Sequence, residues 1–448
     1  MLTMTDLFCG AGGSSTGATE IPGVVVRIAA NHWDLAIETH AANHPNTDHV
    51  QADLSETDPR AFPRTDLLWA SPSCTKHSIA QGKKRQDAQP DLFGETLPEA
   101  AAERSRATMW DVVRFSEYHA YEAVIVENVV DVVFWPPFLA WRMAMESLGY
   151  TCQLVFLNSM HAQLFGPGAP QSRDRFYAVF TRTGAPKPDL AQVTSPPADC
   201  PDCGPVHATQ SWKRMDREPW GKYRAQYVYR CPNTRCHNQI VEPHYRPAAD
   251  IIDWGLRCTR IGDRKKPLAP KTMARITTGI HRYWEPLLVP VEGRDGKHAQ
   301  PVTAPARTMT TRSETGFAMP PFIAEMRGGG STARPATQPL STVTASGNHH
   351  GLVCSYYSSG SNVTPTKDPL STVTTVERHA LLTKYGHPID IDDVHFRMLE
   401  PAEYSAAMAF PNTYTMLGSR REQVRLAGNA VTPPASRDLI GVVTQTLT

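Results

Sequence analysis

Residues 2–17 read LTMTDLFCGAGGSSTG, an apolar run that passes directly into a glycine-rich loop and a segment of small residues. The first half has the apolar and β-branched character of a buried strand. Gly10, Gly12 and Gly13 permit a sharp turn in which backbone N–H groups approach a carboxylate or phosphate closely. The loop is not the G-x-G-x-x-G dinucleotide motif, so by itself it identifies no ligand.

The residues around this loop alternate between strand-like and helix-like segments. Amphipathic stretches lie at 107–119 and 138–148. Further short apolar runs lie at 23–30, 66–70, 123–128, 151–158 and 175–180. This alternation predicts an α/β fold with a mostly parallel sheet, in which active groups lie beyond the carboxyl ends of the strands.

Two polar or aromatic groups follow the early strands. Trp33 comes at the end of the second strand, where it is suited either to stack on an adenine ring or to fill the core. Asp34 beside it can accept ribose hydroxyls, and Asp53 at the next strand end can accept from an adenine amino group.

The sequence WASPSCTKHS at 69–78 places Cys74 on a loop beyond an apolar strand. Pro72 stiffens this loop, and Lys76 and His77 are near enough to favour a thiolate. A single cysteine is more commonly an inert, buried residue. The position of Cys74 after the strand, and not within it, favours a nucleophile.

A carboxyl and two guanidinium groups fall at neighbouring strand ends. Glu127 and Asn128 end the apolar run VIVEN, and Arg173 and Arg175 lead into the run at 175–180. Because the two arginines are two residues apart, we expect them to point the same way. A thiolate and an acid at one site suit addition to a polarised ring.

The chain changes character near residue 184. Residues 184–390 are rich in Pro, Thr and turns, with a weak repeat at 305–311, 339–345 and 369–375, which predicts a β-rich domain or, alternatively, a loop-rich linker. Helical patterns return at 397–410, 419–430 and 434–448. We therefore expect three parts: 1–185, a second domain at 186–390, and a returning segment at 391–448.

Four cysteines in this second part have the spacing of a metal site. Cys200 and Cys203 form C-x-x-C, and Cys231 and Cys236 form a second pair, which together predict a structural zinc ribbon at 200–237. His207 or His237 is able to replace one ligand. The alternative is four free thiols in a polar loop. The chain has nine cysteines, an odd number that argues against a disulfide framework.

The formal net charge is only +1, yet the charge is unevenly distributed. Residues 256–275 carry one acid, Asp263, and seven basic residues: Arg257, Arg260, Arg264, Lys265, Lys266, Lys271 and Arg275. Such a stripe contacts phosphates in some proteins and is a solvated surface loop in others. The sequence does not decide between the two.

The order of these motifs resembles that of the cytosine-5 DNA methyltransferase family, of the prokaryotic or phage type. DLFCGAGG, a Pro-x-Cys loop, Glu-Asn-Val, Gln-x-Arg-x-Arg at 171–175 and Gly-Asn-Ala-Val at 428–431 come in the family's order. The match covers 1–180 and about 396–435, roughly half of the chain. The resemblance implies a Rossmann-like S-adenosylmethionine-dependent methyltransferase domain at 1–185, completed by 391–448, and a β-rich target-recognition domain at 186–390.

The resemblance also implies the cofactor pocket. Trp33 would stack on the adenine, and Asp53 would contact its amino group. The residues expected to hold or border S-adenosylmethionine are Asp6, Phe8, Cys9, Gly10, Gly12, Gly13, Trp33, Asp53, Pro72, Asn429 and Val431.

The reaction implied is that of a DNA (cytosine-5-)-methyltransferase. Cys74 would add to C6 of a flipped-out cytosine, Glu127 would bind N3 and the exocyclic amine, and Arg175 would hold the base or its phosphate. Arg173 would order the loop that carries Cys74. Alternatives are cytosine-5 methylation of RNA, a catalytically silent DNA-binding homologue, or a different alkyl donor.

Two positions depart from the family pattern: His32 replaces the usual Glu before Trp33, and Ser73 replaces the second Pro before Cys74. The expected partner is double-stranded DNA. The chain has neither an apolar run of 18 residues nor a signal peptide, so we expect a cytoplasmic protein, monomeric and without a membrane span. The recognition sequence and any restriction endonuclease partner are not readable from the sequence.

Overall fold

The computed structural model describes residues 1–72, 99–253 and 395–447, together with shorter stretches between them. These stretches are 256, 259–270, 272–274, 276, 287–290, 297–311, 314–319, 323–324, 333–334, 351–355, 379–383 and 392. The chain divides into two compact units. The first comprises Met1–Ile251, Pro305–Arg312 and Glu400–Thr448, and the second comprises Ile252–Ala304 and Ser313–Leu399.

A seven-stranded sheet organises the first unit. Its strands are β1 (Leu2–Leu7), β2 (Val24–Asn31), β3 (Asp48–Gln51), β4 (Leu67–Ala70), β5 (Ala123–Asn128), β6 (Tyr150–Asn158) and β7 (Asp174–Arg182). The order is β3-β2-β1-β4-β5-β7-β6, and β7 alone runs antiparallel to its neighbours. The prediction of a mostly parallel α/β sheet is thus confirmed.

Helices cover both faces of this sheet. They are α1 (Gly13–Thr19), α2 (Asp34–Asn43), α3 (Glu99–His119), α4 (Phe138–Ser147), α5 (Pro401–Ala407), α6 (Arg420–Asn429) and α7 (Pro433–Thr444). One apolar layer contains Phe115 and Trp141, and the other contains Trp69 and Leu439 of α7. Because α7 is buried along its whole length, the C-terminal segment is part of this core.

The four paired cysteines belong to a small antiparallel module in the same unit. Its strands are β8 (Pro197–Cys200), β9 (Gly204–His207), β10 (Thr209–Trp212), β11 (Tyr227–Arg230) and β12 (Ile240–Val241). β8 pairs with β9, and β10, β11 and β12 form a three-stranded sheet. Residues 186–251, assigned to the second domain from sequence, therefore lie in the first compact unit.

The second unit is built from short strands. A five-stranded sheet has the order β13-β21-β16-β14-β15, and two strand pairs, β17 with β18 and β19 with β20, accompany it. The bounds are β13 (Thr259–Arg260), β14 (Leu287–Pro290), β15 (Gln300–Pro301), β16 (Thr315–Met319), β17 (Ile323–Ala324), β18 (Ala333–Arg334), β19 (Gly351–Ser355), β20 (His379–Thr383) and β21 (His395–Met398). The repeats at 339–345 and 369–375 lie outside the described residues.

The helix predicted over 397–410 begins later in the structure. β21 continues to Met398, and α5 begins at Pro401. Pro at the first helical position and a capping box between Glu400 and Glu403 fix this start. Among the described residues, no helix has the length and apolarity to cross a membrane.

Candidate active site

The antiparallel direction of β7 brings a guanidinium to the carboxyl end of β5. Asn128 pairs with Phe176, so the start of β7 lies beside the end of β5. The Arg175 Nε atom is 2.8 Å from Glu127 Oε1, and the two side chains are only 14% and 12% exposed. A charge-assisted hydrogen bond in such a partly enclosed place fixes the orientation of the carboxylate.

The neighbouring residue, Asn128, holds the start of the loop that carries the proposed nucleophile. Its Nδ2 atom donates to the Pro72 carbonyl at 3.2 Å, and its Oδ1 atom accepts from the Val129 N–H. Ser73 and Cys74, like Lys76 and His77, lie outside the described residues. The approach of the Cys74 thiol to Glu127 stays a prediction from the sequence.

Arg173 has a different environment from Arg175. Its guanidinium is buried, with Nη1 donating to the Met309 carbonyl and Nη2 donating to the carbonyls of Gly428 and Ala430. That both arginines point the same way stays a prediction, since these contacts show only that the two guanidinium groups have different partners. Arg173 joins three separate segments of the first unit.

A buried carboxyl group, that of Asp6, is hydrogen-bonded to the two serines that follow the glycine-rich loop. Asp6 Oδ2 accepts hydrogen bonds from the Ser14 and Ser15 hydroxyls, both at 2.6 Å. Burial raises the pKa of Asp6 to about 6, against these hydrogen bonds, which lower it. Within the described part of the chain its Oδ1 atom has no hydrogen-bond partner. Through Ser14 and Ser15, Asp6 thus fixes the position of the glycine-rich loop.

The loop has no space for side chains where it meets the C-terminal segment. A Cβ atom on Gly13 would lie 1.9 Å from the Val431 carbonyl oxygen. Phe8, Gly10 and Gly12 have φ values of 60°, 52° and 85°, so the turn uses the left-handed region three times. Val431 is buried, and Asn429 is exposed at the end of α6. The glycine-rich loop and the motif at 428–431 therefore pack against each other, and we call this contact between Gly13 and Val431 the cradle.

A buried histidine cluster supports the same loop, and sequence reasoning missed it. The His40 Nε2 atom lies 2.9 Å from Ser15 Oγ, and His40 Nδ1 lies 2.8 Å from His49 Nε2. Burial lowers the pKa of His40, and it lowers that of His44 to about 4. These rings are neutral at pH 7 and extend the hydrogen-bond network of Asp6. No motif marks them, since they come from α2 and β3.

An aromatic ring and charged groups gather beyond the end of β2. The guanidinium carbon of Arg425 lies 4.4 Å from the centre of the half-buried Trp33 ring, a cation–π contact absent from the sequence predictions. Partial burial lowers the pKa of His32, while Asp53 raises it and Arg425 lowers it. His32, Asp53 and Arg425 thus share one neighbourhood beside Trp33.

Comparison with known proteins identifies the family. Residues 2–445 match the family model described as C-5 cytosine-specific DNA methylase. The chain belongs to this family. The resemblance stated from the motifs alone is therefore confirmed.

Two curated relatives of this methylase chain are named Type II methyltransferases. M.SsoII of Shigella sonnei is 29% identical over 181 residues, which is 39% of this chain and 41% of the relative. M.AgeI of Thalassovita gelatinovora is 27% identical over 183 residues, 38% of each. The chain thus spans about two fifths of the length of the curated relatives it matches.

Solved structures share the fold of this methylase chain at low identity. A mutant of Spodoptera frugiperda DNMT2 is 14% identical with a TM-score of 0.50, covering 99% of this chain and 100% of that one. S. pombe Dnmt2 methyltransferase is 13% identical with a TM-score of 0.50, covering 100% and 99%. These neighbours have a mixed α/β sheet, in agreement with a Rossmann-like fold.

The cysteine module brings its four thiols together. The Sγ atoms of Cys200, Cys203, Cys231 and Cys236 all lie within 4.8 Å of one another. The Gln239 Nε2 atom donates to Cys200 Sγ at 3.0 Å, and the Cys231 N–H donates to the Gln239 carbonyl. His207 and His237 are not members of this group. The arrangement offers four sulfur donors directed at one point.

The basic stripe is described only in part. Lys265 and Lys266 are exposed, and the Arg264 guanidinium lies 5.6 Å from the Phe396 ring centre. Arg257, Lys271 and Arg275 lie outside the described residues. The choice between a phosphate-binding surface and a solvated loop stays open.

Proposed function

We propose that the chain is an S-adenosylmethionine-dependent methyltransferase that methylates carbon 5 of cytosine in duplex DNA. The reaction proceeds through a covalent bond between Cys74 and C6 of a flipped-out base. The single observation that carries the proposal is the Glu127–Arg175 ion pair at the end of β5, next to Asn128, which holds Pro72. Membership of the C-5 cytosine-specific DNA methylase family supports it.

The loop and its surroundings fit the cofactor. The cradle between Gly13 and Val431 leaves no room for a side chain at position 13, so a ligand there meets the backbone. Trp33 offers an aromatic face beside Asp53 and His32. Phe8–Gly13 would hold the methionine end, Trp33 and Asp53 the adenine, and Asn429 and Val431 the border of the pocket. S-adenosylmethionine, when bound, supplies the methyl group.

The residues of the chain activate the base. A cytosine inside a duplex is inaccessible, so it is flipped out before reaction. The Cys74 thiolate adds to C6. A proton shared between the Glu127 carboxyl and N3 stabilises the negative charge that this addition places on the ring, and the same carboxyl accepts from the exocyclic amine. Arg175 holds the Glu127 carboxyl in position. Once C5 has bonded to the transferred methyl group, loss of the C5 proton to water or hydroxide expels the Cys74 thiolate and restores the aromatic ring.

Covalent trapping tests the mechanism. DNA containing 5-fluorocytosine has no C5 proton to lose, so the wild-type enzyme is expected to form an adduct that survives denaturing electrophoresis. Cys74→Ser should form none, and Glu127→Gln should form it about 100-fold more slowly. An adduct in Cys74→Ser, or none in the wild type, contradicts the mechanism. Asp48→Asn, which breaks the exposed Arg27–Asp48 pair, is the matched control.

Sequencing of 5-methylcytosine in cells that express the protein tests the substrate and the role together. The names of the two Type II relatives support modification of DNA at a defined sequence within a restriction–modification system. We expect methylation at one short motif in genomic DNA. Methylation of structured RNA in place of matched duplex DNA, or binding of DNA without methylation, would reject the proposal.

We further propose that the four cysteines bind a structural zinc ion. Tetrahedral zinc with Zn–S bonds of about 2.3 Å places its sulfurs about 3.8 Å apart, which suits thiols that converge within 4.8 Å. We expect one zinc per chain by metal analysis. Cys231→Ser should lose it, and His207→Ala should keep it. A zinc content near zero with four titratable thiols contradicts this proposal.

A further inference from the structure

The cysteine module is packed directly against the strand ends that carry the candidate catalytic pair. In the β10–β11 hairpin the loop at 213–226 joins the two strands, and Cys231 follows β11 at the opposite end. Three residues in one part of this loop, Trp220–Tyr223, contact the strand ends of the seven-stranded sheet or the turn that follows β5: Trp220, Lys222 and Tyr223. We name this part of the loop the Trp220–Tyr223 segment.

One side of the segment contacts the turn that follows Glu127. The Trp220 Nε1 atom donates to the Val130 carbonyl at 3.0 Å, and the Trp220 ring lies 4.6 Å from the Phe134 ring. The Lys222 ammonium lies 3.2 Å from Asp131 Oδ2. Asp131 is buried, with a side chain 8% exposed, so this ion pair compensates a carboxylate that has left water.

The other side of the segment contacts the residue that precedes Arg175. The Tyr223 N–H donates to Asp174 Oδ1 at 2.9 Å, and Arg175 Nη1 donates to the Asp174 carbonyl at 3.0 Å. Asp174 is therefore held from the module by its side chain and bound to Arg175 through its backbone. Trp220, Lys222 and Tyr223 thus contact the chain at 130–134, shortly after Glu127, and at Asp174, immediately before Arg175.

The module itself is anchored on the sheet by buried groups. The His161 ring lies 4.6 Å from Tyr223 and 5.0 Å from Tyr229, both edge to face. The Gln210 Nε2 atom donates to the Phe156 carbonyl of β6 at 2.8 Å. These contacts leave little freedom for the Trp220–Tyr223 segment relative to β5 and β7.

We propose that the Trp220–Tyr223 segment positions the Glu127–Arg175 pair through Asp131 and Asp174, so that the integrity of the cysteine module sets the rate of methylation. Lys222 and Tyr223 are positioning residues and do not touch the base. This inference rests on the proposed methyltransferase function and assigns the module a part in it beyond stability.

A double-mutant cycle on the Lys222–Asp131 pair tests the proposal. Lys222→Met and Asp131→Asn should each lower the single-turnover methylation rate about 10-fold, with the dissociation constants for DNA and cofactor changed less than twofold. The double variant should be no slower than either single variant, because both remove one interaction. Lys222→Arg should restore most of the rate.

The matched control is Arg214→Met, which breaks an exposed pair with Asp216 in the same loop and should leave the rate unchanged. If Lys222 only bound DNA phosphates, Lys222→Met would weaken DNA binding and Asp131→Asn would not slow the reaction, which overturns the proposal. Equal rates in all variants overturn it too. A wild-type enzyme without methylation refutes the proposed function instead.

Discussion

Adjacent residues at the end of β5 carry out separate tasks. Glu127 binds Arg175 across the sheet, and Asn128 binds the Pro72 carbonyl at the start of the nucleophile loop. Alternation along a strand directs neighbouring side chains to opposite faces, so two consecutive residues serve two sides of one site. The proposed mechanism depends on that alternation at a strand end.

In the glycine-rich loop, a side chain at position 13 is excluded by lack of space and not by the backbone conformation of Gly13. Gly13→Ala places a Cβ 1.9 Å from the Val431 oxygen, so the loop must shift. We expect cofactor affinity to fall at least 10-fold, measured by calorimetry. Gly23→Asn is the control, since that position has a φ of 84° with open space and Asn tolerates the left-handed region. Equal cofactor affinities in Gly13→Ala and Gly23→Asn would contradict a role for the Gly13–Val431 contact in cofactor binding.

Among the elements, β6 and the cysteine module meet at a buried histidine. His161 is 1% exposed, and among the described residues neither ring nitrogen has a hydrogen-bond partner. Burial lowers the pKa of His161 to about 3. The aromatic packing around it is therefore compatible only with the neutral ring.

This histidine makes the stability of the first unit dependent on pH. Its pKa is about 3 when folded and about 6.5 when unfolded, so the unfolded chain binds the proton more readily between these values. The contribution of His161 is present above pH 6.5 and is lost as the pH falls towards 3. Between pH 6.5 and 5 the loss amounts to about 1.5 kcal/mol.

His161→Phe should remove the part of this dependence that His161 contributes, seen as a flatter profile of the free energy of unfolding between pH 6.5 and 5 in denaturant titrations. A residual slope is expected, because burial also lowers the pKa of His40 and of His44. His207→Phe, at an exposed position of the same module, should keep the wild-type slope. A wild-type slope in His161→Phe would show that the ring is hydrated and titrates freely.

On the scale of the whole molecule, the first unit is assembled from three separated stretches of chain. Arg173 joins them, because its guanidinium donates to the Met309 carbonyl in the stretch at 305–312 and to the carbonyls of Gly428 and Ala430 near the C-terminus. A buried guanidinium with several carbonyl acceptors is costly to remove, because each carbonyl loses its partner.

Arg173 and Arg175, two residues apart, should therefore differ when each is replaced by methionine. Arg173→Met should lower the free energy of unfolding by about 3 kcal/mol. Arg175→Met leaves the mostly buried Glu127 carboxylate without its partner, so it should also lower the free energy of unfolding by about 3 kcal/mol, but unlike Arg173→Met it should abolish most methylation. Thermal unfolding and a single-turnover assay measure the two effects. Methylation lost in folded Arg173→Met and kept in Arg175→Met would contradict a structural role for Arg173 and a role in the reaction for Arg175.

Strands of the first unit could be predicted from the sequence where a local apolar pattern marks them. The run at 123–128 agrees with β5, because a strand buried on both faces is continuously apolar, and the run at 151–158 agrees with β6, whose second half is buried. β3, with the sequence DHVQ, was expected only as a strand end near Asp53 and was not among the predicted apolar runs, since it is short and polar. The cysteine spacing marked a common site correctly, and the four thiols converge.

Residues close together in the chain were enough to identify the family, the order of the strand-end motifs and the two cysteine pairs, one spaced C-x-x-C and the other C-x-x-x-x-C. Only the tertiary structure decided that Arg175 and not Arg173 binds Glu127, that Gly13 meets Val431, and that Lys222 reaches Asp131. These contacts join residues tens to hundreds of positions apart. Packing of whole elements creates them, and no local pattern of burial or charge encodes which distant partner a side chain will meet.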